Sequence, residues 1–239
     1  MFFECRVMWS NMSSRFFKIF IPVRFLLPAI LMALGLSGGS AVLRAAEEID
    51  ILFVGDSITD RWDNGKEDRE VWNRYFGEYR VLNIGVWGHS TAQCLRQIDC
   101  PAARNVSPRL IVLMIGTNDV GYLAMTPETA IEGNRKILAK LRDRWPNAVI
   151  LHHAVFPSDP KDPTPQSARR QRILKVNEAL PAMADGRHII FLDFHDLFLD
   201  SDGLMHRETH PDLVHPNAQG YEIWGRALAP VVKKHLAEQ

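Results

Sequence analysis

Residues 49–59 read Ile-Asp-Ile-Leu-Phe-Val-Gly-Asp-Ser-Ile-Thr. Ile49 to Val54 form an apolar run of strand length, and Gly55-Asp56-Ser57 follow with no linker, so the chain turns as soon as the run ends. Four more short runs follow at Arg80–Ile84, Leu110–Ile115, Ala148–Ala154 and His188–Leu192. Segments of helical period lie between them, and this alternation predicts a parallel sheet wrapped by helices. Five strands suffice for a small doubly wound α/β domain.

The clearest helix falls between the third and fourth strands. Thr126 is its cap, Pro127 takes its first turn, and Ile131, Asn134, Ile137 or Leu138, Leu141 and Trp145 recur near period 3.6 before Pro146. A second helix is expected over Gln166–Met183, with Ile173, Val176, Leu180 and Met183 on its buried face. The last runs from Ala218 towards His235, with Tyr221, Trp224 and Leu228 inward and a kink expected at Pro230. Phe156–Pro165 is rich in proline and reads as a loop.

The whole chain of 239 residues is 46% apolar and carries 28 basic and 28 acidic groups. Such a composition excludes disordered and collagen-like classes, and without a Lys/Arg run nucleic acid is not an expected partner. The charge is uneven. Residues 1–46 hold Arg6, Arg15, Lys18, Arg24 and Arg44 against Glu4 alone, which leaves the rest mildly acidic. After Arg24 comes the apolar run Phe25–Leu36, and then the small residues Ser37 to Ala41, Ala45 and Ala46. This is the layout of a secretory signal peptide cut at about 41–46. Twelve residues cover roughly 18 Å as a helix, short of a bilayer core of about 30 Å, so no stable membrane span is expected, and an uncleaved anchor is the competing reading. The expected organisation is therefore a signal peptide over 1–46 and one domain over 47–239, exported to a periplasm or medium. Of the cysteines that remain, Cys94 and Cys100 could bridge only if a helix ended between them; two separate thiols are the alternative.

A serine one turn past a strand stands where ligands collect in open parallel sheets, so Ser57 is placed to attack a substrate. By itself it could equally open the next helix. The nucleophile elbow of the α/β-hydrolases is excluded, because Thr59 occupies the place of its second glycine. After the second strand comes Asn83-Ile84-Gly85-Val86-Trp87-Gly88-His89, and after the third Gly116-Thr117-Asn118-Asp119. Glycine lets a backbone N–H approach a ligand, and an asparagine amide has two donors; together with the Ser57 N–H these could hold an oxyanion. Near the C-terminus, Asp212-Leu213-Val214-His215-Pro216 could orient an imidazole within one turn. Each piece alone reads as turn chemistry or a surface ion pair.

In company and in this order, the four segments resemble the SGNH hydrolases, or GDSL esterase/lipase family, through Ser57, Gly88, Asn118 and His215. The resemblance covers Ile49 to the last helix and is strongest with the platelet-activating-factor acetylhydrolase catalytic-subunit type. It implies a three-layer, flavodoxin-like five-stranded parallel sheet with helices on both faces. It further implies Ser57 as nucleophile, His215 as base, Asp212 as its orienter, and an oxyanion hole from Ser57, Gly88 and Asn118, with no metal or organic cofactor. The expected function is an exported serine esterase that hydrolyses short-chain esters, acetyl above all, of a carbohydrate or lipid through an acyl-enzyme. The alternatives are an inactive carbohydrate-binding module or an O-acyltransferase on the same fold. Two positions depart from the pattern: His89 stands where relatives usually have Asp, and Leu213 where many have Gly.

Other residues attract attention and are read as structural. Asp202/His206 is expected to be a decoy pair. His206, His210 and His215 lack metal-site spacing. His152 and His153 are read as satisfied structural histidines, and Arg169, Arg170, Arg172 and Lys175 as a solvated helix face.

Overall fold

The computed structural model describes residues 46–238; the expected signal peptide and its cleavage site lie outside the described residues. A five-stranded sheet of order β2-β1-β3-β4-β5, all parallel, forms the centre, with β1 Glu47–Gly55, β2 Val81–Asn83, β3 Val106–Met114, β4 Val149–His153 and β5 Ile189–Leu192. This is the flavodoxin-like order that the family resemblance implies. β1 and β3 start earlier than their apolar runs because Glu47 and Glu48 pair with Val106 and Ser107, so polar residues extend the ladder.

Both faces of the sheet are covered, which explains why its strands read as almost continuous apolar runs. Leu52, Val54, Ile111 and Leu113 pack against α3 (Thr91–Gln97) and α5 (Pro127–Arg144) through Cys94, Ile137 and Leu141. Their neighbours Ile51, Phe53 and Val112 point the other way. They meet α1 (Ser57–Asn64), α2 (Lys66–Phe76) and α7 (Ala218–Ala237) through Trp62, Trp72, Phe76, Tyr221 and Trp224. The period of two in the strands thus becomes two cores.

Helix boundaries follow local chemistry. Thr126 occupies the cap of α5, but its hydroxyl meets that of Thr129 at 3.3 Å and caps no N–H. The helix expected over Gln166–Met183 is α6 (Ala168–Ala179), capped by Ser167, followed by a 3₁₀ turn over Leu180–Met183. Pro181 has no N–H to continue the α ladder, and the chain tightens there. α7 is one element through Pro230, capped by Asn217 on the N–H groups of Gln219 and Gly220. α3 does end between the cysteines, yet Cys94 and Cys100 are both buried thiols. The short α4 (Thr117–Val120) follows β3 directly.

α1 and α2 were not legible as helices, since their apolar residues are sparse; their role is to deliver aromatic rings. Trp62 is fully buried, stacked on Trp224 at 4.3 Å between centroids and on Tyr221 at 5.2 Å, with Phe53, Trp72 and Phe76 around its edges. Truncation would leave a cavity that rigid neighbours cannot fill. Trp62→Ala should therefore cost about 3–5 kcal/mol of stability, read as a lower urea midpoint at constant m-value.

Candidate active site

The order of the strands places the topological switch between β1 and β3, and Gly55 at the end of β1 pairs with Met114 at the end of β3. A Cβ on Gly55 would lie 2.6 Å from the Met114 carbonyl and 2.1 Å from Thr59 Oγ1, so only glycine lets β1 turn here. Asp56 then caps α1, its Oδ1 accepting from the Ile58 N–H at 3.0 Å, and Ser57 becomes the first residue of the helix.

Ser57 Oγ lies 2.8 Å from His215 Nε2, and His215 Nδ1 lies 2.7 Å from Asp212 Oδ2. A carboxylate can only accept, so the neutral ring carries its proton on Nδ1 and leaves Nε2 to accept from the serine hydroxyl. The other Asp212 oxygen accepts from the backbone N–H groups of Val214 at 3.0 Å and His215 at 2.7 Å, which closes the turn that sets the ring beside its orienter. Burial pushes the Asp212 carboxyl up, but the bonds from the His215 ring and the two amides outweigh it and hold the group below the usual carboxylate range.

In the loop after β2, Gly88 has φ +74, and a Cβ there would meet nothing within 4 Å, so its backbone conformation, not space, demands glycine. Asn118 donates one amide hydrogen to the His89 carbonyl at 3.0 Å, which orients the group and leaves its second N–H for another acceptor. The structure thus brings Ser57, Asp212 and His215 into one hydrogen-bonded chain and joins the loops of Gly88 and Asn118 beside them.

A family model described as GDSL-like lipase/acylhydrolase matches residues 53–223. The chain belongs to this family. The α2 subunit of platelet-activating factor acetylhydrolase IB from Homo sapiens is 29% identical over 195 residues, covering 80% of each chain. Among solved structures, a GDSL-like lipase from Bacteroides thetaiotaomicron superposes with TM-score 0.64 at 20% identity, over 77% of this chain and 88% of that one. A carbohydrate acetylesterase family member from Sinorhizobium meliloti gives 0.58 at 21%, over 80% and 99%. The protein is a carboxylic ester hydrolase of the GDSL family with that family's sheet and helices.

The two departures from the family pattern have structural readings. Leu213 has φ +58, a left-handed conformation that costs a leucine about 1 kcal/mol where glycine would be at ease. Its side chain is buried, which offsets that strain, and its carbonyl accepts from the Asp159 N–H at 3.0 Å. At position 89 the backbone matters to the site, through the carbonyl that holds Asn118.

Sequence reasoning gave no role to Asp119, Thr91 or Asn83. Asp119 is buried and accepts from Thr91, at 2.9 Å from its N–H and 2.6 Å from its hydroxyl, which ties the start of α3 to the end of β3. Asn83 accepts from the Gly85 N–H and donates to the Thr59 carbonyl and to Asp63. Asp119 and Asn83 lie inside the motif segments, but Thr91, Thr59 and Asp63 are remote from them in sequence. The solvated-face reading of α6 is corrected. Arg170 is buried and donates to the carbonyls of Pro163 and Gly203, Arg172 donates to that of Val120, and Arg169 packs against Gly121; Lys175 alone of the four is exposed. The guanidiniums of Arg170 and Arg172 reach carbonyls of other segments that no helical periodicity reveals.

The histidines also divide. His152 Nε2 meets Asn134 Oδ1 at 3.0 Å while its Nδ1 has no protein partner, and His153 is enclosed by Phe156, Phe194 and Trp224 with no protein partner for either nitrogen, so the first is satisfied at one nitrogen and the second at neither. Burial lowers them to about 4 and about 3, so both are neutral at pH 7. His206 pairs with Asp200 at 3.0 Å, not with Asp202. Among the described residues, no three His, Cys, Asp or Glu are grouped to hold a metal, and no helix is long and apolar enough to cross a membrane.

Asp56 is fully buried, and burial pushes its pKa from 3.8 up to about 7 against the hydrogen bond from Ile58. The folded state keeps this proton over a range in which the unfolded chain has lost it, so the group's contribution to stability falls as pH rises from 3.8 to about 7. Asn at position 56 preserves a cap oxygen and cannot ionise. The stability of Asp56→Asn relative to wild type should therefore improve by on the order of a few kcal/mol across that window. Urea melts at several pH values read the difference, and a pH-independent one would contradict the buried acid.

Proposed function

We propose that the protein is an exported serine esterase that removes short acyl groups, acetyl above all, from a carbohydrate or lipid alcohol. The observation that carries the chemical part is the chain of contacts from Ser57 through His215 to Asp212, 2.8 and 2.7 Å long. Ser57 Oγ attacks the ester carbonyl while His215 Nε2 takes its proton, and Asp212 steadies the resulting imidazolium. The carbonyl oxygen, now negative, takes hydrogen bonds from the N–H groups of Ser57 and Gly88 and from the free amide hydrogen of Asn118. His215 returns the proton to the departing alcohol. Water then enters, His215 deprotonates it, and attack on the acyl-enzyme releases the acid and regenerates Ser57.

The acetyl preference is supported by relatives named as acetylhydrolases and by the fold neighbour named as a carbohydrate acetylesterase. Export is supported by the basic, apolar and small-residue segments before Ala46. Hydrolysis of p-nitrophenyl acetate should be faster than that of the octanoate, and the reverse order would favour a lipase.

The roles are tested by substitution. Ser57→Ala and His215→Ala should each lower kcat by roughly three orders of magnitude or more, and the double variant should lose little further because the two act as one unit. Asn118→Ala should lower kcat about a hundredfold with a small change in KM, since its contact strengthens as charge develops on the oxygen. His206→Ala should stay within a few-fold of wild type. A fluorophosphonate should label Ser57 and should not label Ser57→Ala. Near-normal turnover in His215→Ala with a dead His206→Ala would reverse the assignment.

A further inference from the structure

The exposed large apolar side chains among the described residues are Trp87, Tyr122, Leu123 and Leu197. Single exposed apolar residues are ordinary on any surface, but three of these four stand on the loop that carries Gly88 and on the turn that follows the Asn118 helix. Neither loop segment is loosely held. The Leu123 N–H donates to the Asn118 carbonyl at 2.9 Å, and the Met125 N–H to that of Asp119 at 2.7 Å. Trp87 stacks on His215 with centroids 4.6 Å apart and planes at 19°, yet the residue is 59% exposed. It is therefore held by the imidazole and open to a ligand at once.

The chemistry says which half of the ester meets this ring. On the esterase reading above, His215 Nε2 hands its proton to the leaving alcohol, so the alcohol oxygen must come within hydrogen-bonding reach of that nitrogen. Whatever the oxygen is attached to then lies beside Trp87. We infer that Trp87 is the binding platform for the alcohol half of the substrate, and that this alcohol is a sugar ring. The inference rests on the esterase reading and adds to it the class of alcohol.

Geometry favours the sugar over a lipid. An alkyl chain gains from being covered on all sides, whereas an indole that is more than half open covers one side only. A pyranose has an apolar C–H face to lay on an aromatic ring and a rim of hydroxyls that must stay hydrated or bonded. Tyr122, 85% exposed in the turn that follows Asn118 by four residues, carries a phenol hydroxyl, a group that suits a sugar hydroxyl better than a hydrocarbon tail.

The test compares a mono-acetylated methyl xylopyranoside, ethyl acetate, and a micellar phospholipid carrying an acetyl ester, on wild type, Trp87→Leu and Trp87→Phe. Wild type should prefer the glycoside. In Trp87→Leu the ratio of kcat/KM for glycoside over ethyl acetate should fall about tenfold or more, chiefly through KM, and Trp87→Phe should recover part of it. Loss of the stack on His215 acts on both esters alike and cancels in the ratio. An unchanged ratio, or a wild-type preference for the micellar lipid, overturns the sugar platform while leaving the esterase reading intact. Failure of wild type to cleave any of the three, with no fluorophosphonate labelling of Ser57, removes both.

Discussion

The pairing of β1 with β3 is the constraint on which the rest of the site depends. The two strands run side by side from Glu47 opposite Val106 to Gly55 opposite Met114, and they end at the same level. Ser57 follows one end and Asn118 the other, so the register of the ladder sets the spacing between the two groups. In a doubly wound sheet this boundary is also where the chain reverses direction across the sheet, leaving a crevice that no crossover helix covers. Everything else arrives at this crevice from outside, the Gly88 loop from the edge strand β2 and the Asp212–His215 turn from the approach to α7.

Holding these loops in place requires polar groups in a region from which water is largely excluded. Asp119 grips Thr91, Asn83 bonds to the Thr59 carbonyl and the Gly85 N–H, and Asn118 takes the His89 carbonyl. Apart from the local Asn83–Gly85 bond, each joins two segments remote in sequence, so removing one partner would loosen a segment and leave a polar group unsatisfied. The cost of this arrangement appears in Asp56, a buried carboxyl raised to about 7 that nevertheless remains as the cap of α1. The aromatic cluster under α1 supplies the opposing stabilisation, because Trp62 of the serine helix stacks on Trp224 of α7 while the hydroxyl of Tyr221 donates to the Ile58 carbonyl.

Much of this was legible in the chain. Ser57, Gly88 and Asn118 were readable as site residues because a turn at a strand end constrains residue type locally, and Asp212 and His215 because their contact spans three residues. The helices α1 and α2 were not, since their apolar residues make sense only as a group that meets α7. The four basic residues of α6 looked solvent-facing for the same reason. Arg170 is neutral to a periodicity argument, and its partners, the carbonyls of Pro163 and Gly203, belong to loops that approach only in the folded state. Leu213 stood out as a departure from the family pattern, but its left-handed backbone and buried side chain became visible only with coordinates.

The sequence by itself determined the alternation of strand and helix, the order of the four motif blocks and the chemical types at the site, because these depend on residue identity and short-range spacing. The tertiary structure alone decided the distances between blocks: Ser57 and His215 are 158 positions apart and meet at 2.8 Å. It also decided that Trp87 lies on the face of His215, that His153 is sealed among aromatic rings, and that Arg169 lies against Gly121. These are contacts between segments whose separation is set by sheet order and helix packing, and no local pattern carries that information.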